Sequence, residues 1–148
     1  MEKHSAVAPG KDDQSMSLFI AFAVVVAAGT FLLALGATAL VRPSIARRFL
    51  LGLAQSAARH YLELAIRFAI GSALIVAAPR MAGTHVVAGA GIVLLATTAV
   101  MFFVPWRSHQ SFANSAVPRA LAFLPAIGLS SIAVGVALLW ALLGAGAG

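Results

Sequence analysis

Arg59-His60-Tyr61-Leu62-Glu63-Leu64-Ala65-Ile66-Arg67-Phe68-Ala69-Ile70-Gly71 is the stretch whose reading decides the fold. The residues that follow its last charge, 68–78, are uncharged, and Pro79 stops them. That run is too short to cross the hydrocarbon of a bilayer, because ~30 Å takes about 20 helical residues. The span must therefore begin near Tyr61 and include Glu63 and Arg67. The other acids, Glu2, Asp12 and Asp13, all lie near the N-terminus. Glu63 is thus a single carboxylate at membrane depth, with Arg59 and Arg67 one turn away on either side. At ~100° per residue, Arg59, His60, Glu63 and Arg67 share an arc of about 100° on a helix. Tyr61, Ala65 and Phe68 fall on the opposite side. Measured from Pro79 at ~1.5 Å per residue, Arg67 lies roughly 18 Å and Glu63 roughly 24 Å from the outer boundary.

Composition supports a membrane setting. The chain has 148 residues, 61% hydrophobic and only 9% charged, where a soluble domain carries about 25% charged residues. The length fits one domain. Cysteine is absent, which excludes disulfides, thiolate metal sites, iron–sulfur clusters and a cysteine nucleophile. The net charge of +6 is no nucleic-acid signal, because the basic residues sit at the ends of apolar segments and form no solvated patch with interleaved aromatics. Arginine far outnumbers lysine and alanine is abundant, a codon-usage trait of a GC-rich bacterial genome.

Taken in order, residues 1–16 are polar and read as a disordered tail. Residues 17–41 are the first span. A signal peptide is the rival reading, with Ala37-Thr38-Ala39 as its cleavage site. Its apolar part is too long for that, and Arg42, Arg47 and Arg48 follow directly. Pro43 ends this helix and starts a short one in which Ile45, Phe49 and Leu53 recur every four residues while Arg47, Arg48 and Gln55 point elsewhere. Such a helix lies in the headgroup layer, apolar side down; the alternative is a turn and an early start to the next span. The second span covers residues 61–78 and the third 86–104, with Thr84 as its expected N-cap and Pro105 as its end. The fourth covers 120–143, with Pro125 kinking its first turns. Residues 144–148 are a Gly/Ala tail. The expected fold is an all-α membrane protein: four transmembrane helices in residues 17–143 with a short interfacial amphipathic helix between the first and second.

Gly29 and Gly36 are seven residues apart in the first span. So are Gly128 and Gly135 in the fourth, with Ser131 between them. Seven residues return to nearly the same face, so each helix has a smooth seam. Lipid offers no hydrophobic drive for helices to associate, and small-residue seams let backbones pack closely. Glycine is also simply frequent in membrane helices. A weak internal repeat overlays residues 29–43 on 91–105, matching Gly29, Leu32, Leu33, Ala34, Ala37 and Pro43 with Gly91, Leu94, Leu95, Ala96, Ala99 and Pro105. Repeated two-helix units of this kind share one orientation and imply a pseudo-twofold along the membrane normal.

Orientation follows from the basic residues. Arg42, Arg47, Arg48, Arg59, Arg107 and Arg119 fall on one side, and Lys3, Lys11 and Arg80 on the other. The positive-inside rule puts the first set in the cytoplasm and both termini outside. Trp106 and Tyr61 then sit at the cytoplasmic interface, which suits amphipathic rings. The expected location is the bacterial inner membrane, multi-pass.

The charged stripe Arg59, His60, Glu63 and Arg67 is the candidate functional feature, since ionisable groups inside a membrane are costly and mark function by default. The plainer reading is an ion pair that sets helix depth. Flanked by two arginines, Glu63 has the surroundings of such a pair rather than of a proton carrier. His4, His60, His85 and His109 offer no two ligands at helical spacing, so no metal and no cofactor is expected. No phosphate loop and no nucleophile motif is present, and Ser130-Ser131 has no base near it. The chain is expected to be a small non-catalytic polytopic protein, a subunit, assembly factor or interaction partner in a membrane complex. Its partners would be the lipid bilayer and other membrane-protein helices or copies of itself, without nucleic acid. The alternative is a small proton- or cation-coupled transporter or channel using Glu63.

Overall fold

A computed structural model describes residues 10–53, 56–105, 111, 116, 119 and 121–144. Among them every regular element is helical. In order these are α1 (Lys11–Val41), α2 (Pro43–Leu53), α3 (Ala57–Ala77) continued by a 3₁₀ turn (Ala78–Arg80), α4 (Thr84–Phe103), and a 3₁₀ turn (Leu121–Phe123) leading into α5 (Leu124–Leu143). Four segments, Lys11–Val41, Ala57–Arg80, Thr84–Phe103 and Leu121–Leu143, are long and apolar enough to cross a membrane. The all-α, four-span expectation holds, and a short helix, α2, stands between the first and second spans.

The ends of the elements show where local chemistry overrides hydropathy. α1 begins at Lys11, not at Ser17, because Asp12 and Asp13 occupy its first turn, where acidic side chains offset the positive end of the helix dipole. The polar residues 11–16 are therefore helical. The remainder of the expected tail, residues 1–9, lies outside the described residues, as do 145–148. At the other end Arg42 donates its N–H to the Thr38 carbonyl at 2.8 Å, and Pro43, which has no N–H to lose, opens α2. The N-cap of α4 is Gly83, not Thr84. Its φ of +72° is in the left-handed region that glycine enters without penalty, and the Thr84 hydroxyl instead donates back to Met81 O at 3.2 Å. Pro125 sits in the first turn of α5, after the 3₁₀ turn, so the expected kink is a change of helix type at the start of the span.

The described helices pack in sequence: α5 on α1, α1 on α3, and α3 on α4. Their inner surfaces are small and their outer surfaces large. Ala21, Val25, Ala73, Ala77, Ala78 and Ala141 are buried, while Phe19, Phe31, Ile92, Phe103, Val134 and Trp140 are exposed. α1 and α4 are almost evenly apolar all round. Size rather than hydrophobicity therefore sorts inside from outside, as expected where the solvent is itself apolar. One buried cluster joins all four spans near the α3–α4 turn and includes Val25, Leu74, Ala77, Met81, Val87 and Ala141. There Ala82 donates its N–H to the Ala141 carbonyl at 2.9 Å, tying the turn to the end of α5. A second cluster, at the arginine-rich end, joins only α1, α2 and the start of the fourth span through Ala39, Ala46, Leu121 and Leu124.

The glycine seams of the first and fourth spans are spent on each other. A Cβ on Gly29 would lie 3.4 Å from Gly135 O and 3.0 Å from the Leu139 side chain; one on Gly36 would lie 2.6 Å from Gly128 O. The α3–α4 pair repeats the first of these crossings. A Cβ on Gly91 would lie 2.9 Å from Gly71 O and 2.9 Å from Ile75, and one on Gly71 would lie 2.8 Å from Leu95. Gly29 and Leu33 thus stand to Gly135 and Leu139 as Gly91 and Leu95 stand to Gly71 and Ile75. The proposed repeat is real at the level of helix pairs. It does not extend to a closed twofold, because α1 packs on α3 whereas α4 and α5 share no comparable interface.

Candidate functional site

The α3–α4 seam has two unlike sides. On one lies the membrane-depth ion pair. Arg67 Nη1 donates to Glu63 Oε1 at 3.2 Å, and Arg67 Nη2 reaches Thr97 Oγ1 on α4 at 3.5 Å. The Thr97 hydroxyl lies 2.9 Å from Val93 O and 3.0 Å from Leu94 O, so its proton is used within its own helix and its lone pairs face Arg67. Arg67 Nε is buried with no hydrogen-bond partner among the described residues. The i, i+4 spacing brings Glu63 and Arg67 together on α3, and Thr97 extends the pair to α4.

The rest of the expected stripe divides. Arg59 does not join Glu63. Its Nη1 donates to the Gly52 carbonyl in the last turn of α2, a helix C-terminus that attracts a cation. It sits there because Ser56 caps α3, accepting the Arg59 N–H at 3.3 Å, and so fixes the corner between α2 and α3. His60 is buried, with its ring edge against Tyr61 at 5.5 Å between centroids. Among the described residues no three His, Cys, Asp or Glu side chains converge as a metal site. His85 is exposed at the far end of α4. Trp106, Arg107, His109 and His4 lie outside the described residues.

On the other side of the seam is a groove of about 690 Å³, lined by Tyr61, Leu64, Phe68, Leu95, Thr98 and Phe102 together with Ala65, Ala99 and Phe103. Its origin is visible in the repeat. Where α1 and α5 have their second glycine crossing, Gly36 and Gly128, the matching positions on α4 and α3 are Thr98 and Leu64, both buried. Larger side chains thus stand at the level where the groove opens. The Thr98 hydroxyl donates to Leu94 O at 2.6 Å, so the groove presents no unsatisfied polar group there. Sequence reading put Tyr61, Ala65 and Phe68 on one face but did not connect them with α4. It also passed over Gly71, Thr97 and Gly52. For Gly71 a signal existed: it bears the same relation to Gly91 as Gly135 bears to Gly29.

The small-residue positions Gly29, Gly36, Gly128 and Gly135 all lie in the α1–α5 contact. Ser131 is half-buried beside it and lines a shallow hollow with Leu32 and Val134. Comparison of the chain with protein-family models, with characterised proteins and with solved structures finds no match.

Proposed function

We propose that this chain is a non-catalytic subunit of a bacterial inner-membrane complex, and that the α3–α4 groove receives a transmembrane helix of another protein. The groove is the observation that carries this reading. It runs from Tyr61 to Phe68, about 10 Å or two helical turns, and its lining is apolar, with the small side chains of Ala65 and Ala99 among aromatic ones. Helices associate in lipid by such packing. A concave surface is not complementary to itself, so the groove does not suit a closed twofold dimer, which must join identical patches, and the occupant we assign to it is a different chain. The glycine seams no longer count as docking surface, since α1 and α5 use theirs on each other. Transport by Glu63 has little support. The buried cluster that joins the four spans at the far end is apolar throughout, and a pathway needs polar groups along its length.

A photo-crosslinking residue at Ala99, in the groove, should give one discrete adduct with another protein in living cells. The same probe at Phe19, on the lipid-facing side of α1, should give none. Ala65→Trp, which fills the groove, should abolish the Ala99 adduct in a protein that still folds. A self-adduct, or equal adducts from both positions, would overturn the reading. So would ion uptake by the purified protein in liposomes that is lost in Glu63→Gln.

The proposed orientation puts the arginine-rich end in the cytoplasm and both termini outside. A single cysteine replacing Ser111 should then be shielded from a membrane-impermeant thiol reagent in intact cells. One replacing His85 should react within minutes. The opposite pattern would invert the topology.

A further inference from the structure

The region where α2 meets α3 has the chemistry of a headgroup site. Arg48 and Arg59, with Phe49 and Gly52, line a cleft of about 260 Å³. The level of this cleft follows from α3. Arg59 and Arg80 are 21 residues apart, roughly 32 Å along a helix, which matches the ~30 Å hydrocarbon thickness. The two arginines therefore mark opposite boundaries of the apolar layer, and the cleft lies at the headgroups. Arg48 makes no hydrogen bond or ion pair with any described residue, and Arg59 spends one nitrogen on the Gly52 carbonyl, which orients the remaining donors. The described carboxylates are elsewhere. Asp12 and Asp13 open α1 at the other end of the molecule, and Glu63 is engaged by Arg67.

A second opening shares Phe49 with the cleft. It is an apolar crevice of about 200 Å³ between α1 and α2, lined by Phe31, Ala34, Leu35, Thr38, Ala46 and Phe49. The Phe31 and Phe49 rings are 6.1 Å apart. Phe31 lies ten residues before the end of α1, about 15 Å up the helix, so α2 leans back along α1 instead of lying flat. The crevice thus continues from the cleft along the apolar flank of α1.

We infer that this end of the protein binds one anionic phospholipid, with its phosphate between Arg48 and Arg59 and an acyl chain along the α1–α2 crevice. Two guanidinium groups from different helices suit a phosphate diester, to which arginine gives paired charge-assisted hydrogen bonds. Basic pockets between helices at the headgroup level hold anionic lipids in this way. The crevice beside the cleft adds what a free phosphate would not use.

The test is native mass spectrometry of the full chain in detergent, titrated separately with dioleoylphosphatidylglycerol, dioleoylphosphatidylcholine and glycerol 3-phosphate. One phosphatidylglycerol per chain should be retained, about tenfold more tightly than phosphatidylcholine, because the choline cation of the latter cancels its phosphate charge and two arginines at the headgroup level each favour a net anion. Arg48→Gln should remove most of that preference. Arg80→Gln, which deletes the same charge at the opposite boundary, should leave it unchanged. Arg48 has no partner among the described residues, so its loss should not lower thermal stability, and Arg48→Lys should give an intermediate preference. Ala34→Phe, which fills the crevice, should weaken phosphatidylglycerol retention. Equal retention of the two lipids, or insensitivity to Arg48→Gln, would overturn the site. Glycerol 3-phosphate binding as tightly as the lipid, or indifference to Ala34→Phe, would make it a soluble-phosphate site and overturn the lipid assignment.

Discussion

Gly36→Val is expected to cost ~3 kcal/mol of stability, near the upper end of the usual range for overpacking a close contact. Even a Cβ there would stand 2.6 Å from Gly128 O and 2.6 Å from Ile132, with the Ile132 backbone nitrogen at 3.1 Å. Two of these three neighbours are backbone atoms and cannot move aside by changing rotamer. The helices would have to separate, and the crossing at Gly29 and Gly135 would open with them. Gly89→Ala provides the contrast. Nothing lies within 4 Å of a Cβ at Gly89, so that change should be neutral or stabilise by up to about 1 kcal/mol through helix propensity. Denaturation of both variants in mixed micelles, followed by circular dichroism, measures the difference. Similar losses at the two positions would show that the α1–α5 crossing is not closely packed.

The second large effect is a coupling. Glu63→Gln alone should destabilise by about 2 kcal/mol, because it leaves Arg67 at membrane depth with Thr97 and no countercharge. The figure is below the 3–5 kcal/mol typical of a fully buried pair, since the two side chains are 30% and 31% exposed. Arg67→Leu alone should cost a similar amount by stranding the carboxylate. The double variant should recover most of the loss, since neither charge is then left behind. Strict additivity in the same denaturation assay would mean that the 3.2 Å contact contributes nothing. Arg59→Gln should show no coupling to Glu63→Gln, because its guanidinium is turned to Gly52.

Spans were legible in this sequence because their limits are written in residues with hard constraints. Pro43, Pro79 and Pro105 stand at the ends of apolar runs, and the structure ends or changes its helices at each. The ion pair was legible because i, i+4 neighbours on a helix meet whatever else happens. Boundaries set by weaker forces were not. Asp12 and Asp13 extend α1 through a dipole interaction that hydropathy does not register, and Gly83 takes the cap from Thr84 by entering a backbone region that threonine avoids. Pairings between distant residues were also hidden. A spacing of seven shows that Gly29 and Gly36 form a seam but not what meets it. Arg59 turns to Gly52 because the Ser56 cap fixes the corner between α2 and α3, a pairing that no spacing in the sequence shows. The groove arises from a difference between two similar helix pairs, Leu64 and Thr98 against Gly128 and Gly36. It shows only once the pairs are superimposed.

The partnering of the glycine seams has a consequence in time. Gly71 and Gly91 are 20 residues apart, so α3 can close on α4 as soon as the second of them leaves the ribosome and enters the bilayer. Gly29 must wait for Gly135, more than a hundred residues later. At roughly 5–20 residues per second, the translation rate, that wait is on the order of 5–20 s. Throughout it α1 resides in the membrane with its smoothest face uncovered, open to any other small-residue helix that passes. The hairpin in the middle of the chain matures first, and the first helix made is among the last to find its place.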